Sequence, residues 1–190
     1  MIEKVFGSIL NDVQIAALCE GERPMLHPFC PKQEGKPSYG LGSFGYDLRL
    51  GKRFLVPLGG VNAVLDPINF PRAHFREVVA EKTFEIAPHS QVLAESVEEF
   101  SMPEDVMGLA FGKSSYARCG LLCNLTPLEP TWKGKLTLEL ANLSPLPIRL
   151  HIGQGIAQVV FFRGMRPGRT YTEKEAGGAY QDQRGATLPM

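Results

Sequence analysis

Residues 131–140 read TWKGKLTLEL, and the order of apolar and polar side chains within them points to the fold class. The first four residues supply a turn, and the rest read as a strand. Side chains on a strand alternate between faces, so Leu136, Leu138 and Leu140 share one face while Thr137, Glu139 and Ala141 share the other. Glu139 is thereby kept out of the core. Taken alone, such an acid is a solvated residue on the outer face of a half-buried strand.

Segments of similar length recur on both sides of this one. SYGLGSFGYDLRLGKRFLV, KTFEIAPHSQVLAESVEEF, DVMGLAFG, GLLCNLTP, GKLTLELANLS, PIRLHIG and GIAQVVFF are rich in Val, Ile, Leu and Phe, and Pro, Gly or Asn turn chemistry separates them. Fifteen prolines and twenty glycines punctuate the chain. This spacing predicts an all-β barrel or sandwich. One short helix is expected near the start, where Asn11 caps, Gln14 stands three residues later, an apolar set from Val13 to Leu18 follows and Gly21 ends it. The least strand-like parts are 23–43, 57–75 and the tail 164–190, whose polar, Gly-rich composition favours fraying over an arm that orders on a ligand.

With 190 residues the chain fits a single domain, 1–190, large enough to bury its own core. Twenty basic and twenty acidic residues cancel, which argues against a broad basic face for nucleic acid or an anionic membrane and favours a small ligand. The four cysteines, Cys19, Cys30, Cys119 and Cys123, lack the spacing of a disulfide framework, and no apolar run has the length of a signal or a membrane span. A soluble cytoplasmic protein with reduced thiols is expected.

The histidines His27, His74, His89 and His151 are scattered, and neither HxE nor PCxxC, the ligand motifs of zinc-dependent nucleobase deaminases, occurs. On one strand Cys119 and Cys123 would stand roughly 13 Å apart, too far to share an ion, and both read as small buried hydrophobes. The most polar short run is FGKSSYARCG, residues 111–120. Backbone N–H groups from Gly112 to Ser115, the Ser hydroxyls and the charges of Lys113 and Arg118 suit phosphate oxygens. The GxxxxGK spacing of a P-loop is absent, and a polar surface turn explains the run equally well.

In combination, SFGYDLRLG, LAESVEEFSMPEDVMG, GKSSYARCGL, TPLEPTWKGKLTLELAN, GIAQVVFF and AYQDQRGATLP, in this order, resemble the dCTP deaminase branch of the dUTPase-like superfamily over nearly the whole chain. The resemblance implies a distorted jelly-roll β-barrel, assembly as a homotrimer with active sites between subunits, and hydrolysis of dCTP to dUTP and ammonia, with Mg2+ carried on the triphosphate and no zinc. It places Glu139 as the acid that shuttles protons, Ser114 as the residue that positions the attacking water, and Arg118 in the catalytic constellation. It assigns nucleotide contacts to Lys113, Ser114, Ser115, Tyr116, Ala117 and Arg118, to Glu129 at the deoxyribose 3′-hydroxyl, to Thr137, Leu138 and Glu139 on the base-binding strand, and to Gln158, Tyr171 and Gln183. The tail 164–190 then becomes an arm that closes over the nucleotide.

Two departures stand out. The Thr126–Trp132 loop is shorter than in the enterobacterial type and lacks its arginine, and Ala179 replaces a tail lysine, leaving Lys174 or Arg184 to grip phosphate. Three other activities stay open at this point: a bifunctional enzyme forming dUMP, a dUTPase, and a silent nucleotide-binding regulator.

Overall fold

A computed structural model describes residues 8–59, 64–124, 126–174 and 177–190. The short strands β1 (Ser8–Ile9), β2 (Leu26–His27) and β3 (Gly40–Gly42) precede the long β4 (Gly45–Pro57). After it come β5 (Phe75–Val79), β6 (Thr83–Ile86), β7 (Gln91–Ser101) and β8 (Val106–Gly112), then β9 (Leu121–Asn124), β10 (Lys133–Asn142), β11 (Ile148–His151) and β12 (Gly155–Arg163). Helix α1 (Asp12–Cys19) and the single turn α2 (Ser114–Ala117) complete the set, with 3-10 turns at Arg72–His74 and Tyr171–Glu173. Each segment expected as a strand contains one, although Leu125 of GLLCNLTP lies outside the described residues. Strands β2 and β3 lie within 23–43, one of the segments read as least strand-like, and β5 begins at the last residue of another, 57–75. Helix α1 carries the expected capping box, with Asn11 and Gln14 each satisfying the other's backbone N–H. No helix among the described residues is long and apolar enough to cross a membrane.

All strand pairs are antiparallel, and the main sheet follows the order β1-β12-β4-β7-β10-β9, with β3 and β5 on β4, β8 on β12 and β2 on β7. Strands β6 and β11 form a separate pair. The sheet curls into the distorted jelly-roll expected above. Its curl depends on β4, which changes partners along its length: Tyr46–Arg49 pair with β12, whereas Leu50 onward pairs with β7 and β5. At the changeover β4 and β7 touch so closely that a Cβ on Gly51 would lie 2.5 Å from Glu95 Cγ, so no larger residue fits.

The changeover is tied by an ion pair. Arg49 donates from its backbone N–H to Glu98 Oε2 (2.9 Å), from Nε to Glu98 Oε1 (2.7 Å) and from its guanidinium to Pro28 O (3.0 Å). Glu98 is fully buried; burial pushes its carboxyl above the usual range, and the Arg49 donors oppose that. One residue pair away, β10 slips register between Lys135 and Thr137, which leaves the Leu136 N–H outside the ladder. The buried Ser96 hydroxyl accepts it at 2.9 Å and donates to Glu98 O at 2.6 Å.

Two expectations change. Cys119 is not on a strand with Cys123: it is exposed in the turn that joins α2 to β9, whereas Cys123 is buried on β9, where burial raises its thiol to about 12. The tail does not fray from the barrel. Among the described residues strand β9 pairs with the Glu139–Asn142 half of β10, and on the other half Gly134 takes Gln183 in a parallel bridge. Lys135 N–H donates to Gln183 O (2.8 Å), Asp182 N–H to Lys133 O (3.0 Å), Trp132 Nε1–H to Tyr180 O (2.8 Å) and the Arg72 guanidinium to Pro189 O (2.6 Å). A Cβ on Gly134, at φ +132, would sit 2.6 Å from Gln183 N. Backbone groups that composition left unassigned thus find partners on an open strand edge.

The arm's first turn is capped by Glu173, whose carboxylate accepts from the Thr170 N–H (2.8 Å), the Thr170 hydroxyl (2.8 Å) and Arg166 (2.6 Å). These donors hold its carboxyl at about 2, against an ordinary 4.5.

Removing one member of the Arg49–Glu98 pair strands a buried charge. Arg49→Met is expected to cost about 3–5 kcal/mol in urea unfolding, and adding Glu98→Leu to recover most of it. At Glu173 the folded value lies below the unfolded one, so the capping contribution is complete above pH 4.5 and is lost as pH falls toward 2. An NMR titration of the Thr170 amide should therefore follow a midpoint near 2; a midpoint near 4.5 would mean that the cap does not form.

Candidate active site

Alternation along β10 buries Leu136, Leu138 and Leu140 and turns Thr137 and Glu139 to the other face, as expected. Leu93 of β7 and Asn124 of β9 flank Glu139 in register. The Asn124 amide donates to Glu139 Oε2 at 2.5 Å. A carboxylate offers about four lone-pair sites, so this one bond orients Glu139 and leaves acceptor capacity for a second donor.

Glu139 lines a cavity of about 640 Å³. Leu93, Leu136, Pro127, Leu128 and Trp132 give it an apolar wall, while Thr126, Thr137, Glu129 and Gln183 supply polar groups. The arm closes one side with Tyr171, Lys174, Gly178–Tyr180, Thr187 and Pro189. Lys174 Nζ meets both oxygens of Glu129, at 2.6 and 2.5 Å. An apolar wall with a small number of convergent polar groups is a common setting for a small organic ligand.

Five of the residues singled out from the sequence, Glu129, Thr137, Glu139, Tyr171 and Gln183, meet on this wall. Thr137 is already engaged, its hydroxyl donating to Gln183 Oε1 (3.0 Å) and accepting the Thr187 N–H (3.1 Å). Leu138 is fully buried on the core face, so only its backbone can serve a ligand.

The FGKSSYARCG run lies elsewhere. Ser114, Ser115, Ala117 and Arg118 are exposed on and just after α2, none of them on the cavity wall. Asn124, opposite Glu139, is separated from Leu121 by roughly 10 Å of strand, and Arg118 lies beyond that. Tyr116 turns into the core, where its hydroxyl accepts the His151 N–H (3.2 Å) and burial raises its pKa. Lys113 binds the buried Asp47, which also accepts from Gln33 Nε2 (3.0 Å). The backbone cradle read from the sequence is incomplete as well, because the Lys113 N–H is spent on Ile156 O (3.2 Å). Gln158 stands opposite Asp47 on β12 and lines a separate open hollow with Gln33, Lys32 and Phe44. One chain therefore carries two groups of candidate residues: a walled cavity around Glu139, and an exposed polar set around Lys113, Gln158 and α2.

Sequence reasoning missed Asn124, Trp132 and Asp47. For Asp47 a signal existed, since Tyr46, Leu48 and Leu50 in YDLRL are core residues separated by charged ones. Asn124 had none, because its role depends on the β9–β10 register. Among the described residues no group of three or more His, Cys, Asp or Glu is arranged to hold a metal ion.

The dCTP deaminase-like family model matches residues 9–164. A dCTP deaminase of Acidobacterium capsulatum is 44% identical over 168 residues, covering 87% of this chain and 90% of that protein. One of Campylobacter fetus subsp. fetus is 43% identical over 171 residues, covering 88% and 90%, and one of Psychrobacter sp. (strain PRwf-1) is 42% identical over 190 residues, covering 96% and 98%. The crystal structure of 2′-deoxycytidine 5′-triphosphate deaminase from Agrobacterium tumefaciens shares the fold, with a TM-score of 0.63 at 22% identity over 83% of this chain and 48% of that one. The family match runs from Ile9 in β1 through β12 and includes Glu139, and the chain belongs to the dCTP deaminase-like family.

Proposed function

We propose that this protein hydrolyses dCTP to dUTP and ammonia, supplying dUTP toward dUMP and thymidylate synthesis. The observation that carries the reading is Glu139, a half-buried carboxylate steered by Asn124 onto the wall of a cavity that the arm closes.

Water attacks C4 of cytosine poorly unless a base takes its proton as the C–O bond forms. Glu139 accepts that proton and delivers it to N3 as C4 becomes tetrahedral. It then takes the proton of the new C4 hydroxyl and passes it to the amine, so the C–N bond breaks, ammonia leaves and the carbonyl of uracil forms. One carboxylate serves each transfer, and such general acid–base catalysis contributes about 10² to 10⁴ in rate. Thr126 and Pro127 border the same cavity, and a backbone carbonyl there fixes the water's second hydrogen. The apolar wall of Leu93, Leu136 and Trp132 receives the base, and Glu129 accepts from the sugar hydroxyl.

Ser114, which would position the water, and Arg118, which would complete the catalytic set, are not on this wall. Their exposure on the far side of β9 supports a homotrimer in which one subunit presents Ser114, Ser115, Arg118 and Gln158 to the Glu139 cavity of the next. Magnesium enters with the triphosphate as part of the substrate. The arm, 164–190, acts as the lid. Four free thiols, two of them buried, fit a reducing cytoplasm.

Incubation of the purified protein with dCTP and Mg2+ should yield dUTP and ammonia, resolved by ion-exchange chromatography. Release of dUMP and pyrophosphate from dCTP would identify a bifunctional enzyme instead, and unchanged dCTP would overturn the reading. Glu139→Gln should bind dCTP yet lose about 10² to 10⁴ in kcat, read by single-turnover kinetics.

A further inference from the structure

The arm does more at the cavity than cover it. Its 3-10 turn is fastened to the loop that carries Glu129: Tyr171 N–H donates to Pro130 O (3.0 Å), Thr172 N–H donates to the Thr131 hydroxyl (3.2 Å), and the Thr131 and Thr172 hydroxyls bond at 3.0 Å. Thr131 sits at φ +69, a conformation rare for a β-branched residue, and these bonds hold it there. Lys174 caps the turn, with its N–H on Tyr171 O (3.4 Å) and its carbonyl accepting the Gly177 N–H (2.8 Å). Its ammonium is committed on two sides, lying 5.1 Å from the Tyr171 ring centroid and bridging both oxygens of Glu129. The Tyr171 ring is fixed in turn, because its hydroxyl accepts the Tyr180 N–H (2.9 Å) and Gly178 packs where any Cβ would strike it.

We infer that Lys174 is a positioning residue that holds the Glu129 carboxylate as the acceptor for the substrate's sugar hydroxyl. The inference rests on the deaminase reading above. An unrestrained Glu side chain samples many rotamers, and the ordering cost would fall on substrate binding. Bridged by Lys174, Glu129 is ordered beforehand. A carboxylate has about four lone-pair sites, so a bridging ammonium leaves one on each oxygen free for a hydroxyl donor. The sugar of dCTP has a single free hydroxyl, at C3′, and this becomes the group recognised. The pair is neutral, so Lys174 in this arrangement contributes no net charge for a triphosphate.

The test compares dCTP with 2′,3′-dideoxy-CTP in wild type, Lys174→Met and Lys174→Arg, reading kcat and KM by ammonia release and Kd by calorimetry. Lys174→Met should raise KM and Kd for dCTP about tenfold, the scale of one hydrogen bond to a charged group, with the change in KM and not in kcat. On the dideoxy nucleotide the same variant should lose little, since the hydroxyl is gone, and Lys174→Arg should recover most of the affinity for dCTP. An equal penalty on both nucleotides overturns the inference and assigns Lys174 to the phosphates or to the fold of the arm; an unchanged or lowered KM for dCTP overturns it also. A wild-type protein that binds dCTP without converting it overturns the deaminase reading, while the calorimetric comparison still decides the role of Lys174. Binding of neither nucleotide overturns both.

Discussion

Every strand edge must have its N–H and C=O groups satisfied, and on β10 that requirement is met by two different partners. Strand β9 takes the half that carries Glu139, and the arm takes the half beginning at Lys133. The cavity lies where these two coverings meet. Had β9 run the full length of β10, the arm would have no edge to dock on, and Thr137 would have neither Gln183 nor Thr187 to hold. The same ladder bonds that stabilise the strand thus set the distance between the acid and the lid.

Around that strand the carboxylates are handled in three ways. Glu98 is taken fully inside, and Arg49 compensates it with two direct bonds at the point where β4 changes partners. Glu95, three residues earlier on β7, is also buried, yet its Oε2 has no hydrogen-bond partner and Lys135 stands 3.9 Å off, so burial pushes its carboxyl up. Glu139 and Glu129 stay at the cavity wall, each oriented by one neighbour, Asn124 or Lys174. Burial with full pairing gives structure; partial exposure with one partner leaves lone pairs for a ligand.

Much of the fold was legible in the sequence because a half-buried strand imposes a period of two on its neighbours in the chain. β10 was readable for that reason, β7 and β12 from their Val, Ile, Leu and Phe content between turn residues, and the capping box of α1 because its donors and acceptors lie three residues apart. The reading weakened wherever a residue's fate depended on a distant segment. Cys119 looked like a buried strand residue until the α2 turn placed it outside, and Tyr116, part of a polar run, turned inward to His151. The resemblance to a known family corrected the expectation of a frayed tail; composition could not, because the partners of the tail are backbone groups of β10 and have no side-chain signature.

Local order thus settled which face of β10 bears Glu139, since the pleat allows no other arrangement once three leucines need a core. It also settled that the chain builds short strands with tight turns. Whether Glu139 would be a solvated acid or a wall of a cavity was decided by contacts across long separations: Asn124 fifteen residues away and Lys174 on Glu129 across forty-five. Such pairings leave no periodic trace in the chain, because their register comes from how strands stack and where an edge remains open. The division of the candidate residues between the cavity and the exposed α2 side is of that kind too, a consequence of where β9 ends.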